Sequence, residues 1–121
     1  MHYLSFVDVD KAVKKGIYHL NQKKPDIAVP ILEAALEEMF LLKGDCEQKS
    51  FIHTVKNAEE ALRKAYIMEL IDSLGLKKPE EFADMFEQKN HPLLENYLER
   101  NRRLDEKIIQ LTLPSVSDYV M

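Results

Sequence analysis

Two runs of helical periodicity that meet at the break "NQKKPD" (residues 21–26) constrain the fold of this chain more than any other feature. Before the break, apolar residues recur at steps of three and four, as they do along one face of a helix. Pro25 disfavours helix for the residue before it but suits the first turn of a new helix. A second periodic run then extends from Asp26 to about Lys43. The stretch therefore predicts two helices that fold back on each other as a hairpin.

Three further helices are predicted from breaks at glycine and proline. The longest covers about residues 45–74, a short one begins at Pro79, and the last lies between Pro92 and Pro114. With only three glycines in 121 residues, the chain has little turn sequence for many short strands. The expected fold is all-α: an antiparallel helical bundle of about five helices with an N-terminal helical hairpin.

The composition is that of one soluble domain. Hydrophobic residues make up 45% and charged residues 31% of the chain, an ordinary balance for a globular protein. No apolar run approaches the roughly 20 residues of a membrane span, and the acidic start "MHYLSFVDVD" lacks the apolar core of a signal peptide. The single cysteine, Cys46, excludes an intrachain disulfide and favours a reducing compartment. We expect a cytoplasmic protein with a single domain over residues 1–113 and an apolar tail over residues 114–121.

Residues that could carry chemistry are scattered rather than clustered. The four histidines lie in four different segments: His2, His19, His53 and His91. A zinc site needs three or four ligands at close spacing. Cys46 stands among acids, which raise rather than lower the pKa of its thiol. We therefore expect no catalytic residue, metal or cofactor, and the rival hypothesis is a small enzyme or metal protein that uses Cys46, His53, or Glu87 with His91.

The charge distribution argues against nucleic-acid binding. The chain has 17 Lys and Arg against 21 Asp and Glu, and both halves share the acidic excess. Arg100, Arg102 and Arg103 in "LERNRRL" could contact phosphates. The candidate recognition helix, however, opens with the acidic sequence "PEEFAD" at residues 79–84, which would face a phosphate backbone. We expect no nucleic-acid partner.

The last predicted helix carries the clearest pattern in the chain. Six residues recur at steps of 3, 4, 3, 4 and 3 and form a heptad-like seam: Leu94, Tyr97, Asn101, Leu104, Ile108 and Leu111. The polar Asn101 either hydrogen-bonds within the chain's own bundle or fixes the register against a partner or a second copy. Together with Tyr119 of the tail, these six residues are the predicted binding surface for a helix or helical segment of a partner protein.

The residue pattern resembles two known families. The opening hairpin resembles a tetratricopeptide repeat, because Gly16, Ala28, Leu32 and Ala35 fall where that repeat places its packing residues. Residues 36–111, with "LLKGD", "EEAL", "ELIDSLGL" and "ERNRRL" in that order, are similar in layout to the flagellar export chaperones. That resemblance implies a small cytoplasmic helical protein whose late helix holds the apolar C-terminal helix of a secreted filament subunit.

The functional prediction follows from the seam of the last helix. We predict a non-enzymatic helical protein-binding module, such as an export chaperone or adaptor, that presents an amphipathic helix to its partner. The alternative is a small helical regulator that works as a homo-oligomer. A nucleic-acid-binding or metal-binding protein is the less favoured alternative.

Overall fold

The computed structural model describes residues 6–44, 48–75 and 92–113, which contain four helices and no strand. The helices are α1 (Phe6–Asn21), α2 (Pro25–Leu42), α3 (Gln48–Leu74) and α4 (Pro92–Thr112). The all-α prediction is confirmed. The described part of the chain has four helices rather than about five, and the short helix predicted from Pro79 lies outside it.

The helix boundaries follow the predicted breaks. Pro25 lies in the first turn of α2, and the carbonyl of Lys24 accepts hydrogen bonds from the N–H groups of Ile27 and Ala28, both at 3.1 Å. Gly44 and Gly75 follow α2 and α3 with φ angles of 92° and 67°, a conformation that glycine adopts without strain. Pro30 lies inside α2 on its exposed side, so it does not mark the start of the helix.

The central helix of the bundle is α3, which contacts α1, α2 and α4. Arg63 in the middle of α3 pairs with Asp105 of α4, and Glu69 near the end of α3 pairs with Arg100. Because the later α3 residue meets the earlier α4 residue, these two helices are antiparallel. Successive helices alternate in direction, so α2 and α4 run parallel to each other on the two sides of a groove above α3.

The apolar core draws on all four helices. Its most deeply buried side chains include Val9, Val13, Leu32, Leu36, Met39, Val55, Leu62, Leu104 and Leu111. Thr54 is the buried polar side chain among the described residues, and its hydroxyl donates to Asp10 Oδ1 at 3.1 Å. This hydrogen bond connects α3 to α1 and satisfies a group that would otherwise cost free energy to bury.

Gly16 allows α1 to lie directly against Leu32 of α2. A Cβ atom on residue 16 would lie 2.6 Å from Leu32 Cγ and 2.7 Å from Leu32 Cδ2. Leu32 is fully buried in a close-packed core and cannot move aside freely. Ala28 and Ala35 are buried as well, so all four residues that resemble tetratricopeptide packing positions belong to the core of the hairpin.

Substitution of Gly16 tests this close approach. Gly16→Ala is expected to lower the free energy of unfolding by about 1–2 kcal/mol, because the overlap with Leu32 outweighs the helix propensity gained, about 1 kcal/mol. The exposed neighbour provides the control, and Lys15→Ala should change the free energy by less than about 0.5 kcal/mol. Urea unfolding followed by circular dichroism measures both. A Gly16→Ala protein as stable as the Lys15→Ala control would show that the helices can separate without cost.

Candidate functional site

The predicted seam of α4 faces the interior of the bundle. Leu94, Leu104 and Leu111 are only 1%, 2% and 2% exposed. Tyr97 and Ile108 are half-buried and pack against the same core. The three leucines therefore offer almost no surface to another molecule in this conformation, and Tyr97 and Ile108 offer only part of theirs. Their role in partner binding stays a prediction, and a partner that used the whole seam would have to displace α3.

Asn101 forms its hydrogen bonds within the chain. Its Oδ1 accepts from Arg63 at 3.1 Å, and its Nδ2 donates to the backbone carbonyl of Tyr97 at 2.9 Å. Arg63 also pairs with Glu59 at 2.8 Å and with Asp105. Burial alone would lower the pKa of Arg63, but its hydrogen bonds to Asp105 and Glu59 raise the pKa above the ordinary value. Asn101 therefore hydrogen-bonds within the chain's own bundle, which is the first of the two roles predicted for it.

Several predicted residues lie outside the part of the chain that the structure describes: His2, Cys46, Glu87, His91 and Tyr119. His53 is exposed on α3, and His19 is half-buried near the end of α1. Within residues 6–44, 48–75 and 92–113, no group of three or more His, Cys, Asp or Glu could hold a metal ion. No helix in these same ranges has the length and apolarity to cross a membrane.

A cleft of about 440 Å³ opens between α2, α3 and α4 and is here called the α2–α4 cleft. Its floor is apolar and is formed by Leu36, Leu62 and Leu104, which are at most 2% exposed. Ala34 of α2 lines the cleft and is exposed. The volume lies within the range of about 300–1,000 Å³ that is usual for binding sites.

The two sides of the α2–α4 cleft carry opposite charges. On α2, Glu33 and Glu37 lie one helical turn apart and form the acidic rim. On α4, Arg100, Arg103 and Lys107 follow each other at steps of three and four and form the basic rim. Residues at these steps share one face of a helix, so each rim is a continuous line of charge.

One ion pair joins the two rims. Lys107 Nζ lies 2.7 Å from Glu37 Oε1, with 40% and 60% of the two side chains exposed. Close to it, Lys43 Nζ donates to the backbone carbonyl of Gln110 and connects the ends of α2 and α4. An exposed pair of this kind stabilises a protein by about 0–1 kcal/mol because water and salt screen it. The bridge across the cleft can therefore open at little cost.

Tyr66 of α3 lies between the rims at the other end of the cleft. Its hydroxyl donates to Glu33 Oε2 at 2.7 Å. The guanidinium of Arg100 lies over its ring, 4.2 Å from the centroid, and pairs with Glu69 at 3.2 Å. Burial raises the pKa of Tyr66 well above its ordinary value, and the hydrogen bond to Glu33 raises it further. Tyr66 is thus a neutral hydrogen-bond donor at physiological pH.

Arg100 and Tyr66 also line a second cavity, of about 140 Å³, between α3 and α4. Leu93 and Tyr97 of α4 belong to this smaller cavity. Arg100 and Tyr66 therefore lie between the α2–α4 cleft and this smaller cavity, and both depressions follow one face of α4. From Leu93 to Lys107 that face is about 21 Å long at the helical rise of 1.5 Å per residue. This length matches about four turns of a bound helix.

A different face of α4 exposes large apolar side chains to solvent. Leu98, Ile109 and Leu113 are 48%, 56% and 49% exposed, and we call them the outer stripe. Between them, Arg102 Nε donates to Glu99 Oε1 at 2.8 Å. This hydrogen bond is the main reason why the pKa of Glu99 falls to about 2. The outer stripe is thus an apolar line interrupted by paired charges.

The α2–α4 cleft and the outer stripe are not evident from the sequence. The charges of both rims have helical spacing in the sequence, but such charges are typical of any solvated helix face. Which two helices lie beside each other depends on tertiary packing, which the spacing does not encode. No family model, no curated protein and no solved structure matches this chain. The geometry of these surfaces is therefore the basis for a functional proposal.

Substitutions on the two faces of α4 test the position of the seam. Leu104→Asp is expected to lower the free energy of unfolding by more than about 3 kcal/mol, because it places a carboxylate in the core and leaves a void. Ile109→Asp on the outer stripe is the matched control and should change it by less than about 0.5 kcal/mol. Urea unfolding measures both variants. Equal stability of the two proteins would contradict the inward orientation of the seam.

The raised pKa of Tyr66 predicts a pH dependence of stability. The unfolded chain releases the Tyr66 proton near its ordinary pKa of about 10, whereas the folded chain keeps it, so stability falls as the pH rises above about 10. Tyr66→Phe should remove that part of the decrease. Urea midpoints at pH of about 8 and about 11 measure the slope for both proteins. If the urea midpoint falls equally with pH in the wild-type protein and in Tyr66→Phe, burial does not hold the proton on Tyr66.

Proposed function

We propose that this protein is a non-enzymatic binding module that takes up a segment of a partner protein in the α2–α4 cleft. The observation that supports this function is the cleft itself, an apolar floor between an acidic and a basic rim. Helical partners of such grooves place apolar side chains against the floor and charged side chains along the edges. An export chaperone or an adaptor would work in this way.

In this function three helices, α2, α3 and α4, form the binding site, rather than the seam of α4 alone. Leu104 is the member of the seam that reaches the cleft, and it is only 2% exposed. The apolar contact available to a partner comes mainly from Ala34 and from the aliphatic parts of the Arg and Lys side chains of the basic rim. A partner would therefore bury little apolar area, and charge would contribute to its choice and its rate of association.

A homo-oligomeric regulator is the second candidate, and the outer stripe favours it. Leu98, Ile109 and Leu113 are each about half exposed along one face of α4. Antiparallel or parallel contact with the same stripe of a second copy would cover them. Sedimentation of the wild-type protein and of Ile109→Asp distinguishes the two candidates. A homo-oligomer that associates through the outer stripe should become a monomer in the variant, whereas a module that binds a partner in the cleft should not change its oligomeric state.

Blocking the α2–α4 cleft tests the proposed function. Ala34→Trp is expected to fill the cleft without loss of stability, because Ala34 is exposed on α2. A partner protein captured from the source cells by the wild-type protein should then bind the variant at least about tenfold more weakly, a loss of about 1.4 kcal/mol. Circular dichroism and thermal unfolding verify that the variant is folded.

The matched control places the same side chain away from the cleft. Lys64 is exposed on α3 and does not line the cleft, so Lys64→Trp should capture the partner as the wild type does. A partner that binds Ala34→Trp as strongly as Lys64→Trp would rule out the cleft as its site. Purified components and calorimetry then measure the affinity directly.

A further inference from the structure

We propose that the occupant of the α2–α4 cleft is an amphipathic helix with acidic side chains along one edge and basic side chains along the other. This inference rests on the proposed function and specifies the chemistry of the partner. The acidic edge lies along the basic rim of α4, and the basic edge lies along the acidic rim of α2. An apolar stripe between the two edges faces the floor of the cleft.

The spacing of the rim charges fits a helical rather than an extended partner. Arg100, Arg103 and Lys107 occupy positions i, i+3 and i+7, which lie about 10 Å apart from end to end along α4. A helix that lies alongside α4 presents acids at the same repeat and can meet the exposed Arg103 and Lys107, while Arg100 keeps its contacts with Tyr66 and Glu69. Same-face side chains of an extended strand lie about 6.6–6.8 Å apart, a longer repeat than the steps of about 4.5 and 6 Å between the rim cations.

Three of the rim charges, Glu37, Arg103 and Lys107, are held by exposed contacts that a partner can replace. Lys107 and Glu37 pair across the cleft at 2.7 Å, and both side chains are substantially exposed. Arg103, whose side chain is 70% exposed, lies 3.2 Å from Glu99 on its own helix. When Lys107 turns to an acid of the partner, Glu37 becomes available for a base of the partner. One intrachain ion pair is thereby exchanged for two intermolecular ones.

The opposite charges of the rims also give the bound helix a direction. Reversing a helix in the groove exchanges its left and right edges. A helix with unlike edges meets complementary rims in one direction and like charges in the other. A helix whose two edges carry the same sign would meet one complementary and one repulsive rim in either direction. The rims therefore favour mixed edges over uniform ones.

Three synthetic helical peptides of about 15 residues, a length of about four turns, test this inference. They share one apolar stripe and differ in their edges: one acidic and one basic edge, two acidic edges, or two basic edges. Fluorescence anisotropy measures their binding to the wild-type protein at low and at physiological ionic strength. The mixed peptide is expected to bind about tenfold more tightly than either uniform peptide, with the difference reduced by salt.

Reversal of the basic rim should change this preference. Arg103→Glu/Lys107→Glu is expected to bind the peptide with two basic edges most tightly, because two acids then stand beside Arg100 on α4 and the rim of α2 is acidic already. Lys11→Glu/Lys15→Glu changes the same number of charges on the exposed side of α1, away from the cleft, and should keep the wild-type order. Circular dichroism and thermal unfolding verify that both variants are folded.

Each outcome has a defined meaning. Equal binding of the three peptides, binding of none, or an unchanged order in Arg103→Glu/Lys107→Glu would overturn the charge pattern proposed for the partner. If that occurs while Ala34→Trp still loses its captured partner, only the chemistry of the partner is wrong. If Ala34→Trp also keeps its partner, the cleft itself is not the binding site.

Discussion

The packing of α4 against α3 is the contact on which the candidate site depends. Leu104 and Leu111 bury nearly all of their surface in the core, and full burial of a leucine contributes about 1.5–3 kcal/mol. Asn101 and Asp105 add a polar connection to Arg63 beside this apolar contact. Without that packing, α4 would not lie parallel to α2, and the two rims would not face each other.

The two flanks of α4 differ in how their charges are used. On the flank that faces α3, Arg63 is only 34% exposed and bonds to three side chains of the chain itself. On the flank that faces α2, Arg103 and Lys107 pair with exposed acids in high-dielectric surroundings. The first flank is therefore structural, since removing a partner would leave a partly buried cation. The second flank is available for exchange, because each of its ion pairs stabilises the fold only slightly.

The fold was largely predictable from local sequence. The break at Pro25, the glycines at positions 44 and 75, and the start at Pro92 all mark real helix boundaries. These signals act through the backbone of the residues themselves, so neighbouring helices do not alter them. The seam of α4 was also recognised as one face of a helix. Periodicity does not determine whether such a face meets another helix of the same chain or a different molecule.

The candidate site was not predictable in the same way, because it belongs to no single helix. Glu33 and Glu37 become a rim only when α4 lies across from them, and Tyr66 separates the depressions only because Arg100 stacks on its ring. These pairs join residues more than 30 positions apart in the chain, and their side chains are common on any helix surface. Composition and spacing therefore could not distinguish them from charges that face only water.

If the proposed helix occupies the cleft, the opposite rims influence which helix is selected more than they influence how strongly it binds. An exposed ion pair that replaces another exposed ion pair changes the free energy little, since each is worth about 0–1 kcal/mol. A partner side chain with the same charge as the rim forms no new ion pair. The rim residue then loses its intrachain ion pair and gains only repulsion. In the proposed function, the cleft would therefore exclude unsuitable helices more effectively than it holds suitable ones. Such selectivity with moderate affinity is consistent with the binding module proposed above.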